Sequence, residues 1–168
     1  MEKGKGIRRW QAVVLALVML LGAVADVVPA YAKTVKASSV DEISFEKKNG
    51  KTYGVDEDGN TVSGWSGDKT YYFYKDGRMA AGIVVMKEKF YAFGSDGVYN
   101  EEKTEKLRRA AKYEALFKPL EKLIGKPKKA KYYASCYGDG KDGILTYKGF
   151  TVYTFKPNKG EEIFMGAE

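Results

Sequence analysis

The chain has 168 residues, of which 29 are Lys or Arg and 22 are Asp or Glu, with one cysteine and no histidine. A single cysteine, Cys136, excludes an internal disulfide. The absence of histidine removes the usual general base and most zinc sites. The positive excess is uneven, because residues 33–100 carry ten charges of each sign and residues 101–168 carry fifteen basic and ten acidic ones.

Residues 1–32 have the pattern of a secretory signal peptide. Four basic residues precede an uncharged, mostly aliphatic run from 12 to 25, and Ala30 and Ala32 form a small-residue cleavage pattern. The apolar run is short for a membrane span. We therefore predict an exported chain that begins near Lys33 and has no stable membrane span after cleavage. In such a protein, a basic face suggests an anionic envelope polymer rather than nucleic acid, although a solvated lysine-rich surface explains the same charge count.

Residues 33–49 are polar with a weak apolar rhythm, which indicates a linker or a lead-in strand. Residues 50–100 then repeat a pattern. The segments "KTYGVDEDGNTVSGW", "KTYYFYKDGRMAAGI" and "KFYAFGSDGVY" align without gaps and place an Asp-Gly pair at the same position. Asp-Gly between β-prone runs predicts a hairpin, with the glycine supplying the positive φ of a type I′ turn. Because a single hairpin is marginally stable, we predict a stacked array of aromatic hairpins.

Residues 101–168 change to a mixed pattern. Helical spacing of apolar residues in "EEKTEKLRRAAKYEALF" predicts one helix, and "PLEKLIG" predicts a second that begins at Pro119. The remainder predicts strands at 131–135, 144–147, 150–155 and 161–165, with a Gly-rich loop over 136–143 and a two-residue turn at Lys148-Gly149. The expected fold class is α+β: a hairpin array, then a small two-layer module of two helices packed on an antiparallel meander.

The segment "SGWSGDKTYYFYKDGRMAAGI" resembles the cell-wall-binding repeats, also called choline- or glucan-binding repeats, of Gram-positive surface proteins. The resemblance covers roughly residues 50–99. It rests on Gly-Trp, an aromatic strand, Asp-Gly and Met-Ala-x-Gly in the same order and spacing. It implies attachment to the cell wall through teichoic-acid choline or through glycan.

The resemblance also implies which residues contact a ligand. Aromatic faces attract a quaternary ammonium or stack on sugar rings. By residue match, Trp65 and Tyr72 supply two such faces, and Phe90 keeps an aromatic at the position equivalent to Thr70. Two positions depart from the repeat pattern, since Thr70 replaces an aromatic and Ile83 replaces the tryptophan of a Gly-Trp pair. The other interpretation is that these rings only hold the hairpins together.

The segment from Tyr113 to the end resembles, more distantly, the small helix-plus-meander domains attached to wall-binding repeats, which are similar in outline to β-lactamase-inhibitor-like folds. That resemblance implies a binding role for residues 101–168 and a possible protein partner. We expect no enzyme activity, because the sequence contains no recognisable nucleophile, base and orienting group. We also expect no cofactor and no metal: "DEDGN" and "DGKDG" cluster carboxylates beside glycine but lack EF-hand spacing.

Overall fold

The computed structural model describes residues 33–168. The predicted signal peptide, residues 1–32, lies outside the described residues. The described part contains two helices and eleven strands, which confirms the α+β class with β-hairpin meanders. Within it, neither helix has the length and apolar character that crossing a membrane requires.

The first sheet is built from five strands of the N-terminal half. They are β1 (Thr34–Lys36), β2 (Ser44–Lys48), β3 (Lys51–Val55), β4 (Thr61–Trp65) and β5 (Tyr72–Phe73). The order is β1-β4-β3-β2, with β5 added to β4. Since β1 pairs parallel to β4 and β2 pairs antiparallel to β3, the segment 33–49 is part of the sheet and is not a linker.

The Asp-Gly turns are confirmed as turns, but their predicted type is wrong. In the first turn, Gly59 N–H donates to Asp56 O (3.1 Å) and Asp56 N–H donates to Asn60 O (3.0 Å). The turns at Gly77 and Gly97 have the same two bonds, and in all three the glycine has a positive φ whereas the preceding aspartate does not. This is the three-residue loop with a G1 bulge, not the two-residue type I′ turn.

Two-residue turns with the expected left-handed residues occur elsewhere in the array. Asn49 (φ 51°) and Gly50 (φ 71°) join β2 to β3, and an Asn-Gly pair between strands is a strong hairpin signal. Lys87 and Glu88 (φ 50° and 62°) join β6 (Ile83–Met86) to β7 (Lys89–Ala92). Here non-glycine side chains adopt a conformation that they rarely take, so the strand pairing on either side must hold the turn.

The three repeats, residues 51–65, 69–83 and 89–99, are here called the first, second and third hairpin. They stack through backbone hydrogen bonds between successive repeats. Met79 N–H donates to Thr52 O (2.8 Å), which ties the second hairpin to β3 of the first. Tyr99 N–H donates to Thr70 O (2.8 Å), which ties the third to the second. Each repeat thus supplies backbone partners to its neighbour, as a stacked array requires.

The two helices are α1 (Glu101–Ala110) and α2 (Phe117–Ile124). The Asn100 side chain caps α1 by accepting from Lys103 N–H at 2.8 Å. The prediction that the first helix extends to residue 117 is wrong. Glu114 N–H donates to Phe164 O and Phe164 N–H donates to Ala115 O, so pairing with a later strand takes this segment out of the helix. Pro119 lies inside the first turn of α2, where no N–H partner is needed.

The second sheet is the predicted antiparallel meander of four strands. They are β8 (Lys129–Ala134), β9 (Gly140–Thr146), β10 (Thr151–Pro157) and β11 (Ile163–Ala167), in the order β11-β10-β9-β8. The turn at Lys148-Gly149 is confirmed by Tyr147 N–H donating to Phe150 O. Half of the predicted loop 136–143 is strand instead. Gly140 and Gly143 allow this, because a side chain at Gly143 would lie 2.9 Å from the Tyr132 ring.

Two hydrophobic cores stabilise these elements. The smaller contains Val62 and Phe73 of the first sheet and Ala37 of the 3-10 helix (Ala37–Ser39) that follows β1. The larger lies between the helices and the second sheet and includes Leu107, Leu120 and Leu145, each at most 1 % exposed. Phe90 and Ala92 of β7 belong to this larger core. The third hairpin therefore packs into the core of the C-terminal module, across the predicted boundary at residue 100.

Candidate functional site

The pairing of β4 with β5 brings the first two predicted site residues together. Trp65 and Tyr72 are directly opposite each other in this antiparallel pair. Their ring centroids are 5.4 Å apart in an edge-to-face arrangement, a geometry that aromatic pairs prefer. Residues from consecutive repeats therefore meet because the strands pair, not because they are close in sequence.

The loop between Trp65 and Tyr72 is held by Asp68. Its carboxylate accepts from Ser66 Oγ (2.6 Å), Thr70 Oγ1 (2.7 Å) and Thr70 N–H (2.9 Å). The Ser66 hydrogen bond and then those from Thr70 lower the pKa of Asp68 to about 2. Thr70 replaces an aromatic of the repeat pattern, and in this chain it fixes the loop that aligns the two rings.

Trp65 lies at the centre of a group of five rings, here called the Trp65 cluster. Three rings of the following repeat join Trp65 and Tyr72. Their centroids lie 5.9 Å (Tyr91), 5.7 Å (Phe93) and 5.1 Å (Tyr99) from that of Trp65. Phe93 is buried, whereas the other four are half-buried and keep part of their surface in solvent. The cluster thus joins three successive hairpins and presents partly exposed aromatic faces.

Phe90, the third predicted site residue, lies outside this cluster. Its side chain is 1 % exposed and packs against Phe150 (5.7 Å between centroids) and Phe164 (6.3 Å) of the C-terminal module. Successive side chains of a strand point to opposite faces. Phe90 and Ala92 consequently face the large core, and Tyr91 faces Trp65. Because no face of the Phe90 ring is open, we leave this residue out of the proposed site.

Sequence reasoning missed Tyr91, Phe93 and Tyr99. Side chains alternate between the two faces of a strand along β7 and into the next residue. Once Phe90 is assigned to the buried face, Tyr91 and Phe93 must therefore lie on the opposite face. Tyr99 carries a weaker signal, since it follows the third Asp-Gly turn and forms a bridge with Phe93. Only the stacking of the hairpins brings it within 5.1 Å of Trp65.

Two arginines lie on aromatic faces at the edge of the cluster. The guanidinium carbon of Arg108 is 4.4 Å from the centroid of Tyr91, and Arg108 Nε donates to Phe90 O at 3.1 Å. The guanidinium carbon of Arg78 is 4.8 Å from the centroid of the Tyr74 ring, which packs on Tyr72. Burial raises the pKa of Tyr74, so its hydroxyl stays neutral. Arg108 makes this edge of the cluster positive, whereas the charge of Arg78 is partly offset by Asp76, whose Oδ2 lies 3.9 Å from Arg78 Nε. Each arginine already occupies one π-face.

The two carboxylate-rich loops are used for local hydrogen bonds. Asp56 accepts from the backbone N–H (2.7 Å) and side-chain Nδ2 (3.0 Å) of Asn60, which holds the first turn. Asp142 accepts from Ser135 Oγ at 2.5 Å. Over residues 33–168, no group of three acidic, cysteine or histidine side chains has a geometry that holds a metal ion. Cys136 is free and exposed.

No family model and no curated protein matches this sequence. Among solved structures, the chain is similar to choline binding protein F from Streptococcus pneumoniae, with 21 % identity and a TM-score of 0.30. The alignment covers 71 % of this chain and 34 % of that protein, so the chain spans about a third of its length. A similarity at this level carries no argument about function, and we base the functional proposal on the geometry of the Trp65 cluster.

Proposed function

We propose that the protein is an exported, non-enzymatic surface protein that associates with the cell wall through the Trp65 cluster. The observation that supports this is the position of Trp65. Its half-buried ring lies among four aromatic rings contributed by the next two hairpins. Partly exposed aromatic faces are the surfaces on which a sugar ring stacks or a quaternary ammonium rests.

Of the two wall ligands, the charges at the cluster favour a glycan over choline. A choline group would approach beside Arg108, which lies on the face of Tyr91 and whose positive charge repels it. A sugar has no such penalty, and its hydroxyls can accept hydrogen bonds from guanidinium N–H groups. We therefore propose stacking of a wall glycan on Trp65 and Tyr72.

Sedimentation with purified Gram-positive walls tests the proposal. We expect the protein from Lys33 onward to pellet with walls, and Trp65→Ala to reduce the bound fraction several-fold. The matched control is Tyr113→Ala, which removes a 62 % exposed aromatic from the segment between the helices and should change nothing. Equal binding by both variants would remove the Trp65 cluster from the proposal.

A second variant and a fluorescence measurement separate loss of binding from loss of folding. Tyr72→Ala removes a facing ring while keeping Trp65, which is the single tryptophan after residue 32. Wall oligosaccharide should shift the Trp65 emission of the unmodified protein and not that of Tyr72→Ala. Choline that displaced the protein from walls, with no effect of oligosaccharide, would reverse the choice of ligand.

The alternative proposal is a secreted protein-binding module in which the hairpins act as a spacer. The observation that favours it is β8, an edge strand exposed along its whole length that carries Tyr132 and Tyr133. Edge strands can pair with a strand of another protein. Under this alternative, Ala130→Pro, which removes an N–H on the outer edge of β8, abolishes protein capture, and the protein does not pellet with walls.

A further inference from the structure

An open groove of about 620 Å³ lies between α1 and α2, away from the Trp65 cluster. Four basic residues line it: Lys106 and Arg109 from α1, and Lys118 and Lys122 from α2. Glu161 is the acidic residue on its wall. Residues three or four apart lie on the same face of a helix, so each helix presents two cations to the groove, about one turn apart.

The cations of the two helices differ in how far they are neutralised. On α1, Lys106 Nζ is 2.6 Å from Glu102 and Arg109 is 3.5 Å from Glu105. Within the described residues, the lysines of α2 have no carboxylate within 4 Å. Lys118 also lies in the first turn of α2, where the helix dipole favours a negative charge. An anion in the groove would relieve this unfavourable placement of positive charge.

The floor between the cations is aliphatic. It is formed by Ala110, Leu116, Pro119 and Leu123, and Leu116 remains 47 % exposed. Such a floor can pack against the CH₂ groups of a polymer in which charged groups alternate with short hydrocarbon segments. An acidic peptide would bring backbone amides that need hydrogen-bond partners, and these side chains offer none.

We propose that this groove binds an anionic phosphodiester polymer, its carbon backbone lying on the aliphatic floor. Its phosphates contact Lys118 and Lys122 directly, and they displace the exposed carboxylates of Glu102 and Glu105 from Lys106 and Arg109, which costs little because exposed ion pairs are weak. The contact is separate from the Trp65 cluster and does not depend on the function proposed for it. It is electrostatic and open at the surface, so it recognises the repeating charge of the polymer rather than an end group.

Salt-dependent binding of poly(glycerol phosphate) to the protein tests this inference. At about 0.7 counterions released per contact, four contacts predict that affinity falls about 50-fold between 50 and 200 mM salt. Replacing both α2 lysines, Lys118→Gln with Lys122→Gln, leaves two contacts and predicts a fall of only about sevenfold over that range. The same variant should bind more weakly than the unmodified protein at 50 mM salt.

The matched control removes the same charge from the first sheet, as Lys47→Gln with Lys51→Gln. It should retain the 50-fold dependence, and far-UV circular dichroism should be the same for both double variants. An equal loss in this control would assign binding to net charge and overturn the proposal. Polyglutamate, or phosphatidylglycerol vesicles, binding as tightly and through the same two lysines would also overturn it. Trp65→Ala should leave poly(glycerol phosphate) binding unchanged. The wall-glycan proposal can therefore fail without affecting the result of this test.

Discussion

The hairpin array and the C-terminal module bury their aromatic residues to different extents. The array's own core consists of Ala37, Val62 and Phe73, and its other rings, those of the Trp65 cluster included, stay largely half-buried. The module encloses Leu107, Leu120 and their neighbours between two helices and a four-stranded sheet. A single layer of thin ribbons cannot cover both of its faces, whereas two layers can. The array therefore leaves aromatic surface exposed to solvent, and the module contains most of the larger core.

Strand β7 belongs to both regions at once. One face carries Phe90 and Ala92 into the large core, and the other carries Tyr91 towards Trp65. A shift of one residue in the register of this strand would exchange the two sets. The four residues of β7 thus include both a fully buried aromatic ring, Phe90, and a partly exposed one, Tyr91.

The largest expected effect comes from changing the core face of β7. Phe90→Ala should lower the free energy of unfolding by about 3–5 kcal/mol, because it leaves a cavity beside Phe150 and Phe164. Urea unfolding followed by circular dichroism measures the loss. Tyr91→Ala on the other face is the control and should cost clearly less, since its ring is half-buried. Equal losses would mean that the two faces of β7 are not energetically distinct.

A smaller effect is expected within the core of the array. A methyl group at Gly54 would lie 2.5 Å from Phe73 Cε1 and 2.6 Å from Val62 Cγ2. Gly54→Ala should therefore destabilise the protein by about 1–3 kcal/mol through overpacking. Gly166→Ala in β11 places its methyl group in open space and should change the midpoint of urea unfolding little. If Gly54→Ala leaves the free energy of unfolding unchanged, the small core can accommodate an extra methyl group.

The smallest expected effect is a pH dependence at the loop that aligns Trp65 with Tyr72. The pKa of Asp68 is about 2 in the folded protein and about 3.9 in an unfolded chain. Its stabilising contribution is therefore complete above about pH 4 and is lost as the pH falls towards 2. Acid unfolding of Asp68→Asn should lack this component. An unchanged slope in the variant between pH 4 and pH 2 would contradict the role given to Asp68.

The elements that local patterns encode were predictable. The Asp-Gly turns, the Lys148-Gly149 turn and the existence of both helices follow from glycine placement and helical spacing. The errors occur where a distant segment competes for the backbone. Residues 113–116 leave the first helix because they bond to β11, and Gly140 joins β9 because β10 lies beside it.

The recurrence of aromatic hairpins, and the match of Trp65 and Tyr72 to aromatic positions of the repeat pattern, could be read from the sequence, because turn residues and repeat spacing act over a few residues. Three features depend on packing between distant segments: the face of β7 that meets Trp65, the burial of Phe90 in the C-terminal module, and the four cations from two helices that line one groove. Side-chain alternation allows two opposite placements of every ring along a strand. The packing of the third hairpin against the helices selects one of them.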